Sequence, residues 1–258
     1  SVYNSSNFCM SAAYNTSVVS SSFFGNKEED IKYNFNIPCL GYLYNYKVPD
    51  RIGDEKWKNV NFGFVYNRTN SFNNRILTKG VNNSSSILTE WLGKAQGNTP
   101  ELLQQMYPYD VYMAYNTFLL DTAGSLINYE SLISSPYGIT QYKSIEQKGN
   151  MSDLSFSISG NYDDKLYLGG SMSINFISYK ETGDYSEEDV KNKINDFKYF
   201  TIHDNLTTTG SGFNFKLGLI YRLEDWLRIG GAVHFPTFYA MTDDFSRTMQ
   251  SYFDDGSV

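Results

Sequence analysis

Residues 213–235, FNFKLGLIYRLEDWLRIGGAVHF, alternate with a period of two through a turn and back again. Phe213, Phe215, Leu217, Leu219, Tyr221 and Leu223 share one face. Asn214, Lys216, Gly218, Ile220 and Arg222 share the other, which is polar or small apart from one isoleucine. After Glu224-Asp225 the pattern resumes, with Leu227, Ile229, Val233 and Phe235 on the apolar side and Arg228, Gly230, Ala232 and His234 opposite. Strict alternation is the signature of a strand whose two faces meet different surroundings. The chain must therefore lay this apolar face against a second sheet or against lipid.

Composition helps to choose. Aromatic residues make up 17% of the chain, with 22 Tyr and 18 Phe, yet the mean hydropathy is −0.43. Apolar residues spread singly along alternating strands produce that combination. No run of apolar residues is long enough for a membrane-crossing helix, a test that β-barrel strands escape because they cross in roughly 9–11 alternating residues. A net charge of −7 without a basic block argues against nucleic acid. The acidic stretches 25–30 and 181–190 read as solvated loops. Two cysteines, Cys9 and Cys39, are too few for a disulfide framework. They fall on expected neighbouring strands, where a bridge is possible.

The plan of 213–235 is repeated upstream. In 154–176, Leu154, Phe156, Ile158 and Tyr162 face Ser155, Ser157, Ser159 and Asn161 across the strand. A tight Asp163-Asp164-Lys165 turn follows, and Leu166, Leu168, Met172, Ile174 and Phe176 return on the apolar face. Seven strands are expected, at 8–19, 32–47, 57–68, 139–162, 165–180, 197–223 and 226–239, in one up-and-down meander. Their connections sort by size. Short or moderate ones (48–56, 163–165, 223–225) lie at one end, expected to be periplasmic. Long ones (20–31, 69–138, 181–196) lie at the other, expected to be outside the cell. That sorting suits an outer-membrane barrel and not a Greek-key sandwich. The polar faces are rich in Ser, Asn and Gly, as a wet or plugged lumen requires. Aromatics near strand ends, Trp57, Tyr66, Tyr162, Tyr179, Tyr221, Trp226 and Tyr239, suit interfacial girdles, although aromatics favour strands anywhere.

The sequence offers no catalytic constellation. His203 and His234 lack a nucleophile or ligand partner, His234 is expected to face the lumen, and Asp163-Asp164 reads as turn chemistry. No enzyme, cofactor or metal is expected. The long loop is more informative, because its period shifts towards helix between 84 and 120. Ser84–Ser86 can cap a first helix carrying Leu88, Trp91 and Leu92, and Pro100 can open a second carrying Leu103 and Met106. The segment 110–120 adds Tyr112 and Phe118. These seven side chains are the candidate ligand-binding residues. They must pack on themselves as a cap or line a groove for an amphipathic guest, and the residue types fit both.

The stretch 210–239 resembles the strand-turn-strand signature of the FadL-type outer-membrane transporters of long-chain fatty acids and other hydrophobic compounds, through Gly210, Gly212, Phe213, Asn214, Gly218, Tyr221 and Gly230. Residues 57–73 are similar to that family's early strand leading into its large third loop. The resemblance implies an all-β fold, an antiparallel up-and-down transmembrane barrel of 14 strands. Residues 1–258 would supply about seven strands of this single barrel domain, with 69–138 as an extracellular insertion. The family's N-terminal hatch and the remaining strands are not recognisable, and seven strands cannot close alone in the bacterial even-numbered pattern. The resemblance further implies residence in the outer membrane of a Gram-negative bacterium and contact with its lipid. It also implies capture of a hydrophobic small molecule by the loop and exit through a gap between strands. The rival expectation is a non-transporting structural or shuttle subunit that meets protein partners in a larger outer-membrane complex.

Overall fold

The computed structural model describes residues 5–49, 56–133 and 138–257. Strands β1 (Asn7–Phe23), β2 (Asn26–Lys47), β3 (Trp57–Ser71) and β4 (Asn74–Asn82) precede three helices, α1 (Ile87–Ala95), α2 (Pro100–Met106) and α3 (Val111–Asn116). A small hairpin of β5 (Leu120–Thr122) and β6 (Tyr129–Ser131) follows. The chain then runs through β7 (Ile139–Tyr162), β8 (Leu166–Glu188), β9 (Tyr199–Glu224), β10 (Leu227–His234) and β11 (Phe238–Tyr252).

All pairing in the large sheet is antiparallel and sequential. Two interruptions make seven strands look like nine. β3 and β4 pair with β7 in one continuous register, Ser71 opposite Asn150 and Asn74 opposite Gln147. Opposite their junction, Gly149 has a φ of +123°, and a Cβ there would stand 2.0 Å from the Ser178 carbonyl oxygen. Only glycine fits. β10 and β11 share β9 as partner with one extra residue between them. Pro236 lies in that bulge, on a strand with no second neighbour among the described residues, where a missing N–H costs no ladder bond. The expected seven-stranded meander is therefore present.

The faces separate as the alternation requires. On β9 the outward residues Phe213, Phe215, Leu217 and Leu219 are exposed, Leu217 at 58%, and no second sheet covers them among the described residues. Opposite them Asn59, Asn61, Asn161, Ser173, Asn175 and Asn214 are buried on the concave side. A soluble sandwich would invert this arrangement. The sheet is a curled section of transmembrane β-barrel wall, apolar outside and polar inside.

Three loop boundaries differ from the sequence expectation. The expected long connection 20–31 is mostly strand, closed by a two-residue turn at Phe24-Gly25, both at positive φ. β4 takes 74–82 out of the long insertion, so the excursion runs over 83–138. β8 continues to Glu188, so the loop expected at 181–196 occupies 189–198. One cause accounts for all three. β9 has 26 residues, which at about 3.4 Å each and a tilt of about 40° makes a wall roughly 65 Å tall, against an apolar band of about 25 Å. Beyond the band both faces are wet. On β9 the outward residues become Ser211, Thr209, Thr207, Asn205 and His203, so the apolar alternation stops while the ladder continues. Of the expected connection 48–56, residues 50–55 lie outside the described residues.

The wall has one fork. Pro38 sits in a bulge of β2, between the pairs Ser11–Cys39 and Ala13–Asn36, and the β2–β3 ladder ends at Cys39–Asn67. Above it, among the described residues, β2 shares a backbone ladder only with β1, and β4 only with β7. A proline offers no N–H, and a bulge turns the strand away, so the ladder stops here.

Candidate functional site: a helical cap in the barrel mouth

The excursion 83–138 does not stand free. Counting alternate residues down β7, β8, β9 and β11 from the polar lower face shows that Ile139, Gln141, Glu187, Phe200, Ile202 and Met249 point to the concave side. The apolar members of that set are core residues shared with Leu88, Trp91, Ala95, Leu103, Val111, Ala114, Leu119, Leu120 and Tyr129 of the excursion. The helices therefore pack into the open end of the wall, on its lumenal side, as a cap.

Local sequence explains each helix. Ser86 accepts from the Leu88 amide and forms a capping box with Thr89. Glu90 and Lys94 pair at 2.7 Å one turn apart. Pro100 opens α2, and Asp110 caps α3 by accepting from the Val111 amide at 2.7 Å.

Glu187 joins the cap to the wall. It is fully buried. Its Oε1 accepts from the Ile87 amide at 2.9 Å, from Gln141 Nε2 at 2.8 Å and from the Tyr185 hydroxyl at 2.6 Å, and its Oε2 accepts from the Ser86 hydroxyl at 2.5 Å. A carboxylate at the first turn of α1 is favoured by the orphan amides and the helix dipole. Burial, reinforced by the Glu187 charge, pushes the Tyr185 phenol far above its ordinary range. On the opposite side Arg247 of β11 holds Asp204 of β9 through Nε and Nη2, both at 2.6 Å, and donates from Nη1 to the Tyr109 carbonyl at 2.8 Å. Ser251 donates to the Thr117 carbonyl at 2.6 Å.

Below the cap the lumenal face changes twice. First comes a partly apolar shelf around a cavity of about 380 Å³ lined by Phe72, Gln147, Ile177, Tyr179 and Thr208. The Phe72 and Tyr179 rings meet edge to face at 5.1 Å. Beneath it runs a polar network. Asn45 donates to Asn61 at 2.6 Å, Ser155 and Ser173 bond at 2.7 Å, Asn175 donates to Asp153, and Asn214 donates to Asn175 at 3.2 Å and to Thr237 at 3.1 Å. His234 stands opposite Lys216 on this face. His203 is on the outer face, 2.7 Å from Asp184.

Above the fork the gap between β2 and β4 is crossed by side chains. Arg75 pairs with Asp30, with Nε donating at 2.8 Å. Lys32 Nζ lies 2.7 Å from Glu146 and donates to the Asn74 carbonyl at 3.4 Å. From β1, Ser21 also reaches β4 by donating to the Leu77 carbonyl. Arg75 holds the Asp30 carboxyl below its ordinary range, and Lys32 with Lys148 does the same for Glu146.

The seven candidate residues divide. Leu88, Trp91 and Leu103 are buried at the centre of the cap, and Leu92 and Tyr112 pack against that core. Met106 and Phe118 are exposed, at 56% and 68%. Phe118 also holds a φ of +58°, rare for a bulky residue. Sequence reading missed Glu187, which lies in an acidic stretch taken for solvated loop. It also missed Phe200 and Met249, whose inward facing follows only from the register, and Phe197, a loop residue buried in the same core. Among the described residues no group of three or more His, Cys, Asp or Glu could hold a metal ion.

No family model and no curated protein matches this chain. Among solved structures, a substituted porin of Rh. blastica is similar at 11% identity, with 95% of this chain and 100% of that one covered, at a TM-score of 0.14. A second variant of that porin gives 10%, with 95% and 100% covered, at 0.13. A protein described under "Asymmetric conductivity of engineered proteins" gives 9% with the same coverage, also at 0.13. Scores this low carry no argument. The barrel wall rests on its own register and faces, and the FadL-type resemblance rests on sequence motifs alone.

Proposed function

We propose that this chain is part of a Gram-negative outer-membrane barrel that takes up hydrophobic small molecules, long-chain fatty acids among them. The observation that carries the reading is the cap itself. It fills the lumenal side of the wall's open end, yet leaves Leu102, Met106, Phe118, Leu126 and Ile127 exposed to water. Exposed apolar side chains at a barrel mouth offer a first foothold to an amphipathic guest, and each buried CH₂ contributes about 0.8 kcal/mol. The open end with the cap would face the outside of the cell. The shelf at Phe72 and Tyr179 is the next station inward. The fork between β2 and β4, sealed by side chains in place of a ladder, is the natural weak line for sideways exit from the lumen. The uptake needs no cofactor and no covalent step.

Trp91 is a poor probe, because replacing a buried core residue would loosen the cap. Met106→Ser with Phe118→Ser removes exposed apolar surface and leaves the core intact. The double variant should bind a long-chain fatty acid about tenfold more weakly, by fluorescence titration of the purified barrel, with unchanged thermal unfolding. Unaltered binding would refute the foothold. It would favour a structural or shuttle subunit whose exposed cap docks another outer-membrane protein, a reading that the polar lower lumen also favours.

A further inference from the structure

We infer that Cys9 and Cys39 are a disulfide-forming pair that staples β1 to β2 at the root of the fork. Both thiols lie on the concave, polar side of the wall, since their neighbours Phe8, Met10 and Leu40 are exposed on the other face. Their sulfurs stand 4.0 Å apart, and both are free thiols. The two residues are diagonal across the ladder, Cys9 opposite Gly41 and Cys39 opposite Ser11. Both opposing residues are small. At Gly41 a Cβ would approach Cys9 Sγ to 2.7 Å, so glycine leaves the space through which that thiol leans towards Cys39. A diagonal pair in a flat ladder, about 7–8 Å apart, lies just beyond what a bridge spans without backbone movement. Here the bulge at Ile37-Pro38 adjoins Cys39, and bulges bend and twist their strand.

The chemistry is an exchange with a disulfide-bearing oxidant. The thiol of Cys9, which is exposed, loses its proton, and the thiolate attacks one sulfur of the oxidant. The oxidant's S–S bond breaks, one thiolate leaves, and a mixed disulfide remains. The Cys39 thiolate then attacks Cys9 Sγ and displaces the second thiolate. Two protein thiols are oxidised and one external disulfide is reduced, and the two protons lost by the protein thiols end on the two departing thiolates, which become thiols. The product fixes register where it is least secured. Among the described residues β1 shares a backbone ladder with β2 alone, and Cys39 is the last β2 residue on the β2–β3 ladder. A slip of one residue would exchange the polar and apolar faces of β1. The inference depends on register and distance and does not depend on any transported ligand.

Membranes carrying the full chain are quenched in acid without reductant, denatured, and treated with a maleimide that adds mass to each free thiol. The expected result is no mass addition before reduction, two additions after it, and a Cys9–Cys39 cross-linked peptide in the unreduced digest. Cys9→Ser should leave one thiol labelled without reduction. Two labelled thiols after incubation of the native protein with oxidised glutathione would overturn the inference. So would a bridge found only between two separate chains.

Discussion

Replacing Glu187 should free the cap from the wall without unfolding the wall. In Glu187→Ala four donors lose their acceptor: the Ser86 and Tyr185 hydroxyls, the Gln141 amide and the Ile87 N–H. Each buried donor left unpaired costs about 1–3 kcal/mol, but Gln141 and the hydroxyls can turn towards other acceptors. A net loss of about 3 kcal/mol is the reasonable sum, roughly a hundredfold in the equilibrium for cap opening, at 1.4 kcal/mol per factor of ten. Glu187→Gln keeps an oxygen for the three donors at Oε1 and places an NH₂ before Ser86, whose hydroxyl can reverse to accept. That variant should lose about 1 kcal/mol, the charge-assisted part. Hydrogen exchange read peptide by peptide separates the cases. Amides of α1 should lose about a hundredfold protection in the alanine variant and tenfold or less in the glutamine variant, while 154–176 stays unchanged. Equal protection of α1 in wild type and Glu187→Ala would refute the latch. Parallel loss along β7 and β8 would show that cap and wall are one cooperative unit.

Leu217→Arg, in the middle of the apolar belt, should destabilise the barrel in bilayers by about 2–4 kcal/mol in reversible denaturant unfolding; Ser171→Arg on the lumenal face should cost far less, and equal costs would contradict the assignment of faces. The side-chain seal above the fork should weaken in acid. Asp30 and Glu146 are both held below the ordinary carboxylate range, so their contribution is complete above that range and is lost as pH falls through their lowered values. Spin labels on Ser20 and Lys79 should move apart between pH 7 and pH 3, and Arg75→Ala should open the same distance at pH 7; a distance indifferent to both changes would remove the seal.

How far the fold could be read from the sequence varied with height along the wall. Inside the apolar belt the alternation from Phe213 to Leu223 and from Leu154 to Phe176 marks strand, face and turn, because lipid on one side and lumen on the other demand opposite chemistry. Above the belt the same strands carry Thr207, Asn205, Lys180 and Asp184, and water on both faces erases the signal. The 20–31 hairpin and the upper half of β8 were lost for that reason. The helices of the cap were legible from Ser86, Pro100 and the spacing of Leu88, Trp91 and Leu92. Their destination was not. Trp91 carries no mark that tells a ligand groove from a core shared with Phe200 and Met249, since the partners come from strands more than a hundred residues away. Glu187 was hidden among acidic neighbours that remain in water.

The assignment of lipid to the outer face is tested most directly by scanning single spin labels through 213–219 of β9 in lipid bilayers. Collision with oxygen, which concentrates in lipid, should peak at 213, 215, 217 and 219. Collision with a water-soluble nickel complex should peak at 214, 216 and 218. An alternation of the opposite phase, or none, would mean that this sheet is not a membrane wall.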